Sequence, residues 1–159
     1  MRIGIGYDIH PLTQGRRLVL GGVDIPFNKG LSGWSDADVL THAIIDALLG
    51  AAALGDIGSL FPPGEAQYKD ISSLLLLEKV RDELAKNGWQ VSNIDATIVA
   101  EQPKLGGSTR QIRQKLSQVL SIDISKISVK ASTSAQLGFV GQGEGIEVQA
   151  IASIESISR

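Results

Sequence analysis

One stretch constrains this chain more than any other: Ser35-Asp36-Ala37-Asp38, then helix formers from Val39 to Leu54, then Gly55. The first four residues resemble a capping signal, an N-cap oxygen followed three residues later by a carboxylate, and the glycine closes the run. They predict a helix from about Asp36 to Leu54, to which the other elements must be fitted.

Arg2–His10 alternates β-branched residues with glycines and reads as a strand. Arg17–Leu20 and Val23–Phe27, joined by Gly21-Gly22, read as a hairpin. A second helix begins near Asp70 or Ser72, carries an LLLL run that suggests a buried face, and ends at Asn87-Gly88, where glycine supplies a left-handed residue. Val91–Glu101 reads as a strand and Gly107–Leu120 as a helix with Arg110, Arg113 and Lys115 facing outward. Ile127–Ser132 and the long alternating Ile146–Ile157 complete the strands. Three helices thus interrupt four main strands. The predicted class is α+β, a mixed four-stranded sheet with helices packed on one face plus a small N-terminal hairpin. No repeat, charge run or Ser/Gly-rich linker divides the 159 residues, so residues 1–159 are expected to form a single domain.

The absence of Cys removes disulfide frameworks, thiolate zinc sites, iron–sulfur clusters and Cys nucleophiles together. Any metal is left to His, carboxylates or backbone. With 15 Lys+Arg against 17 Asp+Glu there is no diffuse basic field, so nucleic acid is not an expected partner. The opening MRIGIGYDIH carries Asp and His where a signal peptide is apolar, and no run of eighteen apolar residues follows. A soluble, cytoplasmic protein without a membrane partner is expected. Charged residues make up 20% of the chain, below the roughly 25% of typical soluble domains, which points to a homo-oligomer.

Asp8 and His10 stand two residues apart, so in a strand they share one face. The only other histidine, His42, lies in the first helix, with Asp38 and Asp46 one turn before and after it. If that helix packs beside the end of the first strand, Asp8, His10 and His42 form a two-His, one-carboxylate set with a vacant fourth position, the pattern of a catalytic zinc. Asp38 or Asp46 could then orient His42. Histidines on separate elements are commonly unrelated, and spacing alone leaves that alternative open. After the helix, Gly55 to Gly64 is turn-rich, and its Asp56 could accept hydrogen bonds from substrate hydroxyls. Two strand ends carry candidate phosphate contacts: Ala131-Ser132-Thr133-Ser134 through hydroxyls and backbone N–H groups, and Glu101-Gln102-Pro103-Lys104 through the Lys104 charge. Gly138 to Gly145 alternates glycines without a following helix, which excludes a nucleotide-binding GxGxxG and suggests close backbone approach between strands or subunits.

The runs GYDIHPL, GGVDIP, SDADVLTHAIIDALLGAAALGDIGSLFP, AEQPKL and KASTS followed by LGFVGQGEGI resemble the 2-C-methyl-D-erythritol 2,4-cyclodiphosphate synthase family of non-mevalonate isoprenoid biosynthesis. The resemblance covers essentially the whole chain, in order and spacing. It implies a lyase that converts 4-diphosphocytidyl-2-C-methyl-D-erythritol 2-phosphate to the 2,4-cyclodiphosphate, the 2-phosphate attacking the β-phosphorus and CMP leaving. It further implies a homotrimer with sheets around a central axis and an active site at each subunit interface.

By the same resemblance Asp8, His10 and His42 hold Zn2+, and a second divalent ion, Mg2+ or Mn2+, is held mainly through substrate phosphates. Ser35 at the helix N-terminus meets a phosphate. Asp56 with the Ile57 and Gly58 backbone holds the methylerythritol hydroxyls, and the Phe61–Glu65 segment, Phe61 and Glu65 included, forms a mobile flap. Ala100, Pro103, Lys104, Leu105 and Gly106, with Ala131, Ser132 and Thr133, make the cytidine and phosphate pocket; Phe139 and Gln142 also reach substrate. Thr133 stabilises the transition state. Trp34 stands where many members have a His given the same role, and can donate one indole N–H without carrying charge. Ala135 replaces a frequent metal-binding Glu, Ser132 a frequent Thr, Gln142 a frequent Arg, and Gln149 a frequent Glu near the trimer axis. Two alternatives stay open: a zinc phosphodiesterase that gives the same bond to water, and a non-catalytic trimeric binder of cytidine nucleotides or isoprenoid diphosphates.

Overall fold

The computed structural model describes residues 1–157. Strand β1 (Arg2–Thr13) is the spine of the site's half of the molecule. The hairpin follows as β2 (Leu18–Leu20) and β3 (Val23–Ile25), a separate two-stranded sheet turned by Gly21 and Gly22 at φ 57° and 72°. Positive φ at both turn residues matches the right-handed twist of a tight hairpin. The remaining strands are β4 (Gly30–Leu31), β5 (Trp89–Val99), β6 (Ile127–Ser132) and β7 (Gly145–Ser156). They join β1 in a five-stranded mixed sheet of order β4-β1-β7-β5-β6. Only β5 and β6 are parallel; β7 runs antiparallel to both neighbours. The α+β class with its hairpin is as expected, but the sheet has five strands rather than four. The missed β4 is two residues long, pairing Leu31 with Leu12, and its Gly30 passes so close to Arg17 that a Cβ would lie 2.2 Å from the Arg17 carbonyl oxygen.

Helix α1 (Val39–Ala52) is buried on nearly all sides, only Asp46 and Gly50 being outside the buried set. It docks onto β1 through Gly4 and Gly6. A Cβ on Gly4 would stand 2.0 Å from the Ala47 carbonyl oxygen, and one on Gly6 would stand 1.8 Å from that of Ala43. Glycine alternation in β1 is therefore the seat of the helix. Because side chains alternate along a strand, Asp8 and His10 continue the face that Gly4 and Gly6 begin. The helix starts three residues later than the sequence suggested: Ala37 is left-handed at φ 57°, and Asp38, not Ser35, is the N-cap, accepting from the Thr41 N–H at 3.0 Å. The same Asp38 carboxylate accepts from Gly21 and Gly22 N–H at 2.9 and 2.8 Å, tying the hairpin turn to the helix start.

Two short helical turns, α2 (Ile57–Leu60) and later α5 (Gly138–Gly141), bracket α3 (Ser73–Lys86) and α4 (Thr109–Leu120). α3 packs on α1, α4 and β5, and α4 on β6, so the helices share one face of the sheet. Two side chains expected outward on α4 are instead half-buried anchors. Arg113 donates to the Ile127 and Ile124 carbonyls, and Lys115 to the Gly22 carbonyl. Gly138–Gly145 contains one helical turn where none was expected, while close approach holds at Gly141 and Gly145, whose added Cβ atoms would lie 2.2 Å from Gln136 C and 2.9 Å from His10 O. On the other sheet face Ile3, Ile5, Tyr7, Ile9 and Ile151 are exposed.

Candidate active site

At the end of β1, α1 brings His42 against the strand. Asp8 Oδ2 lies 2.9 Å from His10 Nε2 and 3.1 Å from His42 Nδ1, and the two ring nitrogens are 3.2 Å apart. The outward hydrogen bonds decide the tautomers. His10 Nδ1 is 2.9 Å from the Ser32 carbonyl oxygen, which can only accept, so Nδ1 carries the hydrogen and Nε2 keeps its lone pair. His42 Nε2 is 2.8 Å from Ser73 Oγ, whose single hydrogen is donated to the Asp36 carboxylate. Ser73 can therefore only accept from His42, so Nε2 carries the hydrogen and Nδ1 keeps its lone pair.

Two imidazole lone pairs and a carboxylate thus face one point, an arrangement that needs positive charge between them. Donor separations of 2.9–3.2 Å are close to the roughly 3.3 Å between tetrahedral ligands placed about 2.0–2.1 Å from one ion. The residues present fit a divalent metal, and the three are the metal-capable group among the described residues. Burial alone would push the Asp8 carboxyl up; its hydrogen bonds to His10 and His42 outweigh that and hold it well below the usual carboxylate range. Burial likewise opposes charge on His10, and the Asp8 carboxylate more than offsets it, raising His10 above its ordinary value.

Neither Asp38 nor Asp46 orients His42, contrary to expectation. Asp38 is taken up by the hairpin turn and by Thr41, and Asp46 accepts from the Ile57 N–H at 2.8 Å, fixing the start of α2. The contacts to His42 Nε2 come from Ser73 and, at 3.2 Å, from Ser35 Oγ. Ser73 was not singled out, since a serine opening a leucine-rich helix gives no sign of a histidine 31 positions away.

The metal-capable group opens on a cavity of about 180 Å³ lined by Trp34, Ser35, Ile57, Gly58 and Phe61, and also by Tyr68 and Leu76, which sequence reasoning missed. Ser35 is buried there, but it is not at the helix N-terminus, which Asp38 caps. Asp56 caps α2, its Oδ1 accepting from Ser59 N–H and Oγ at 2.8 and 2.7 Å; these bonds lower its carboxyl. Trp34 joins the site to the following segment: its indole N–H donates to the Glu65 carbonyl at 2.9 Å, and its own carbonyl accepts from Asp70 N–H. The Glu65 carboxylate turns elsewhere, to Gln67.

A second cavity of about 390 Å³ gathers the other predicted cluster: Ala100, Pro103, Lys104, Leu105 and Gly106 from the β5 end, with Ala131, Ser132 and Thr133 from the β6 end. It shares no lining residue with the first. Glu101, the residue after Ala100, folds the chain beyond Thr133: its Oε1 accepts from Ser134 N–H, Ser134 Oγ and Gln136 N–H and so holds the turn in which Ala135 and Gln136 are left-handed. Gln142 lines a third hollow, with Leu12 and Glu101, and Phe139 packs near Gly145; neither borders the first two cavities.

Known proteins resemble this chain along nearly its whole length. The model of the YgbB family matches residues 1–155. The chain is 60% identical over 155 residues to the 2-C-methyl-D-erythritol 2,4-cyclodiphosphate synthase of Dehalococcoides mccartyi strain CBDB1, covering 98% of this chain and 99% of that one. Its fold is similar to that of Plasmodium falciparum IspF solved as a CDP complex, with a TM-score of 0.87 and 36% identity over 99% of this chain and 97% of that one. It is also similar to part of the bifunctional IspDF of Campylobacter jejuni, with a TM-score of 0.95 and 37% identity, spanning 99% of this chain and 42% of that one. With a family model matching almost end to end and a 60% identical relative of equal length, the chain belongs to the YgbB family, that of the 2-C-methyl-D-erythritol 2,4-cyclodiphosphate synthases.

Proposed function

We propose that the chain carries out its family's reaction at a zinc centre held by Asp8, His10 and His42, in an active site completed between the subunits of a homotrimer. The reaction converts 4-diphosphocytidyl-2-C-methyl-D-erythritol 2-phosphate to 2-C-methyl-D-erythritol 2,4-cyclodiphosphate with release of CMP, so the chain is a phosphorus–oxygen lyase of isoprenoid biosynthesis. One observation carries the site assignment: two lone pairs and a carboxylate converge on the wall of a cavity.

The nucleophile is the substrate's own phosphate, ionised at neutral pH, so no protein base is required and both histidines of the chain are left for the metal. What remains is to bring two anionic groups together and to stabilise charge on the transferring phosphoryl group. Zinc bound there supplies Lewis-acid stabilisation and a template for the diphosphate. The Ile57 and Gly58 backbone, on the wall of the first cavity, holds the substrate hydroxyls together with Asp56, the residue before them. In the second, Ala100, Pro103, Leu105, Gly106, Ala131 and Ser132 take the cytidine, Lys104 places a point charge near the diphosphate, and the Thr133 hydroxyl meets the transferring phosphoryl group. A second ion, Mg2+ or Mn2+, is bound mainly through substrate phosphates and waters, because Ala135 offers no ligand. The Trp34 indole N–H, engaged by the Glu65 carbonyl, positions the 61–68 segment and moves no proton.

Two features support assembly. The metal group and Thr133 border separate cavities of one chain, and a self-associating chain can set one against the other. The exposed Ile3, Ile5 and Ile151 give the sheet an apolar outer face of the kind that marks an interface. Each subunit is read as one domain. No helix among the described residues is long and apolar enough to cross a membrane.

Incubation with substrate, zinc and magnesium, followed by phosphorus NMR, gives the cyclic diphosphate and CMP in equal amounts. CMP accompanied only by open-chain phosphates would mean that water had replaced the 2-phosphate. Nucleotide binding without turnover would leave a non-catalytic binder.

A further inference from the structure

We propose that Ser73 and Asp36 are positioning residues for His42, a hydrogen-bonded chain that fixes its tautomer and presents Nδ1 to the metal; the inference rests on the metal reading above. Ser73 is fully buried and is the first residue of α3, so its hydroxyl is held by the fold. Asp36 grips it twice, Oδ2 accepting the Ser73 N–H at 3.0 Å and Oδ1 the hydroxyl hydrogen. Asp36 Oδ1 also accepts from Asp38 N–H, so three hydrogen bonds hold the carboxylate, while the Asp36 N–H anchors the backbone on the Ile71 carbonyl. With its hydrogen committed to a carboxylate, the Ser73 oxygen offers His42 a lone pair at 2.8 Å. That contact admits only the tautomer protonated at Nε2. The Ser35 hydroxyl, 3.2 Å from the same nitrogen and accepting from Ala37 N–H, lacks such a carboxylate and cannot enforce the choice. Negative charge relayed from Asp36 also makes His42 a stronger donor to a cation, as outer partners of metal-bound histidines generally do.

Two readouts test this. In zinc-free protein labelled with 15N-histidine, held at an alkaline pH where the spectrum shows both imidazoles neutral, His42 carries its hydrogen on Nε2, and Ser73→Ala moves a large part of the population to Nδ1. In competition titrations against a chelator, Ser73→Ala weakens zinc binding about 10- to 100-fold, Asp36→Asn weakens it less, and Asp36→Asn in the Ser73→Ala background adds little. Ser73→Thr, which keeps the hydroxyl, restores the tautomer and most of the affinity. Wild-type His42 protonated at Nδ1, zinc affinity unchanged in Ser73→Ala, or fully additive losses in the double variant would each overturn the relay. Should Ser73→Ala not fold, the wild-type tautomer and the Asp36→Asn titration still decide. A wild-type chain with the expected tautomer but no zinc affinity would instead overturn the metal reading, and the positioning role toward an ion with it.

Discussion

Gly6 lies so close to the Ala43 carbonyl that a Cβ there would meet its oxygen at 1.8 Å. The contact is backbone against backbone, so no side chain can turn away to relieve it. Strand and helix meet here at the distance that lets His42 face Asp8 and His10.

Gly6→Ala should therefore lower stability by about 3 kcal/mol or more, at or above the upper end of ordinary overpacking. The folded remainder should bind zinc poorly, because relief of the clash separates α1 from β1. Denaturant unfolding and zinc titration check this; wild-type values for both would show that the seat is looser than the structure has it.

Zinc affinity should fall as pH falls, from a higher pH than an ordinary histidine would give. Burial opposes charge on His10 and the Asp8 carboxylate more than offsets it, so in the metal-free protein His10 takes up its proton at a higher pH than an ordinary histidine, and the metal must displace it. Asp8, held well below the usual carboxylate range, stays ionised and adds no proton of its own. Below the raised His10 value the apparent affinity should drop about tenfold per pH unit for that proton. Titrations at a series of pH values from acid to alkaline check the slope, and an affinity independent of pH contradicts the ligand set.

Trp34→Phe keeps an aromatic ring on the cavity wall but removes the donor to the Glu65 carbonyl. Loss of one such hydrogen bond, about 1 kcal/mol, should raise KM roughly 5-fold with kcat little changed, since the indole orders a segment and does not touch the reacting phosphorus. A fall in kcat at constant KM would place the indole in the transition state instead.

Much of this site is legible in the sequence because it follows short-range periodicities. Asp8 and His10 share a face by the period of a strand, and His42 sits in a segment that can hardly be anything but a buried helix. The clusters at the ends of β5 and β6 come together because those strands are parallel neighbours whose ends coincide. The rest depends on contacts that no local pattern carries. Helix α1 begins late because Ala37 adopts a left-handed conformation and Asp38 must reach the turn at Gly21-Gly22. Asp38 and Asp46 stand one turn from His42, yet backbone N–H groups from other segments claim both, while Ser73 reaches the ring from a helix distant in sequence. Strand β4 is too short to have a period at all.

The central claim, that the metal group of one subunit works with Thr133 of another, is tested most directly by co-expressing His42→Ala chains with Thr133→Ala chains. Each variant alone should be nearly inactive. In mixed trimers some interfaces pair an intact metal group with an intact Thr133, and random assembly at equal amounts should restore about a quarter of wild-type turnover. A mixture no more active than the two variants measured separately would contradict the account, placing the whole site within a single chain.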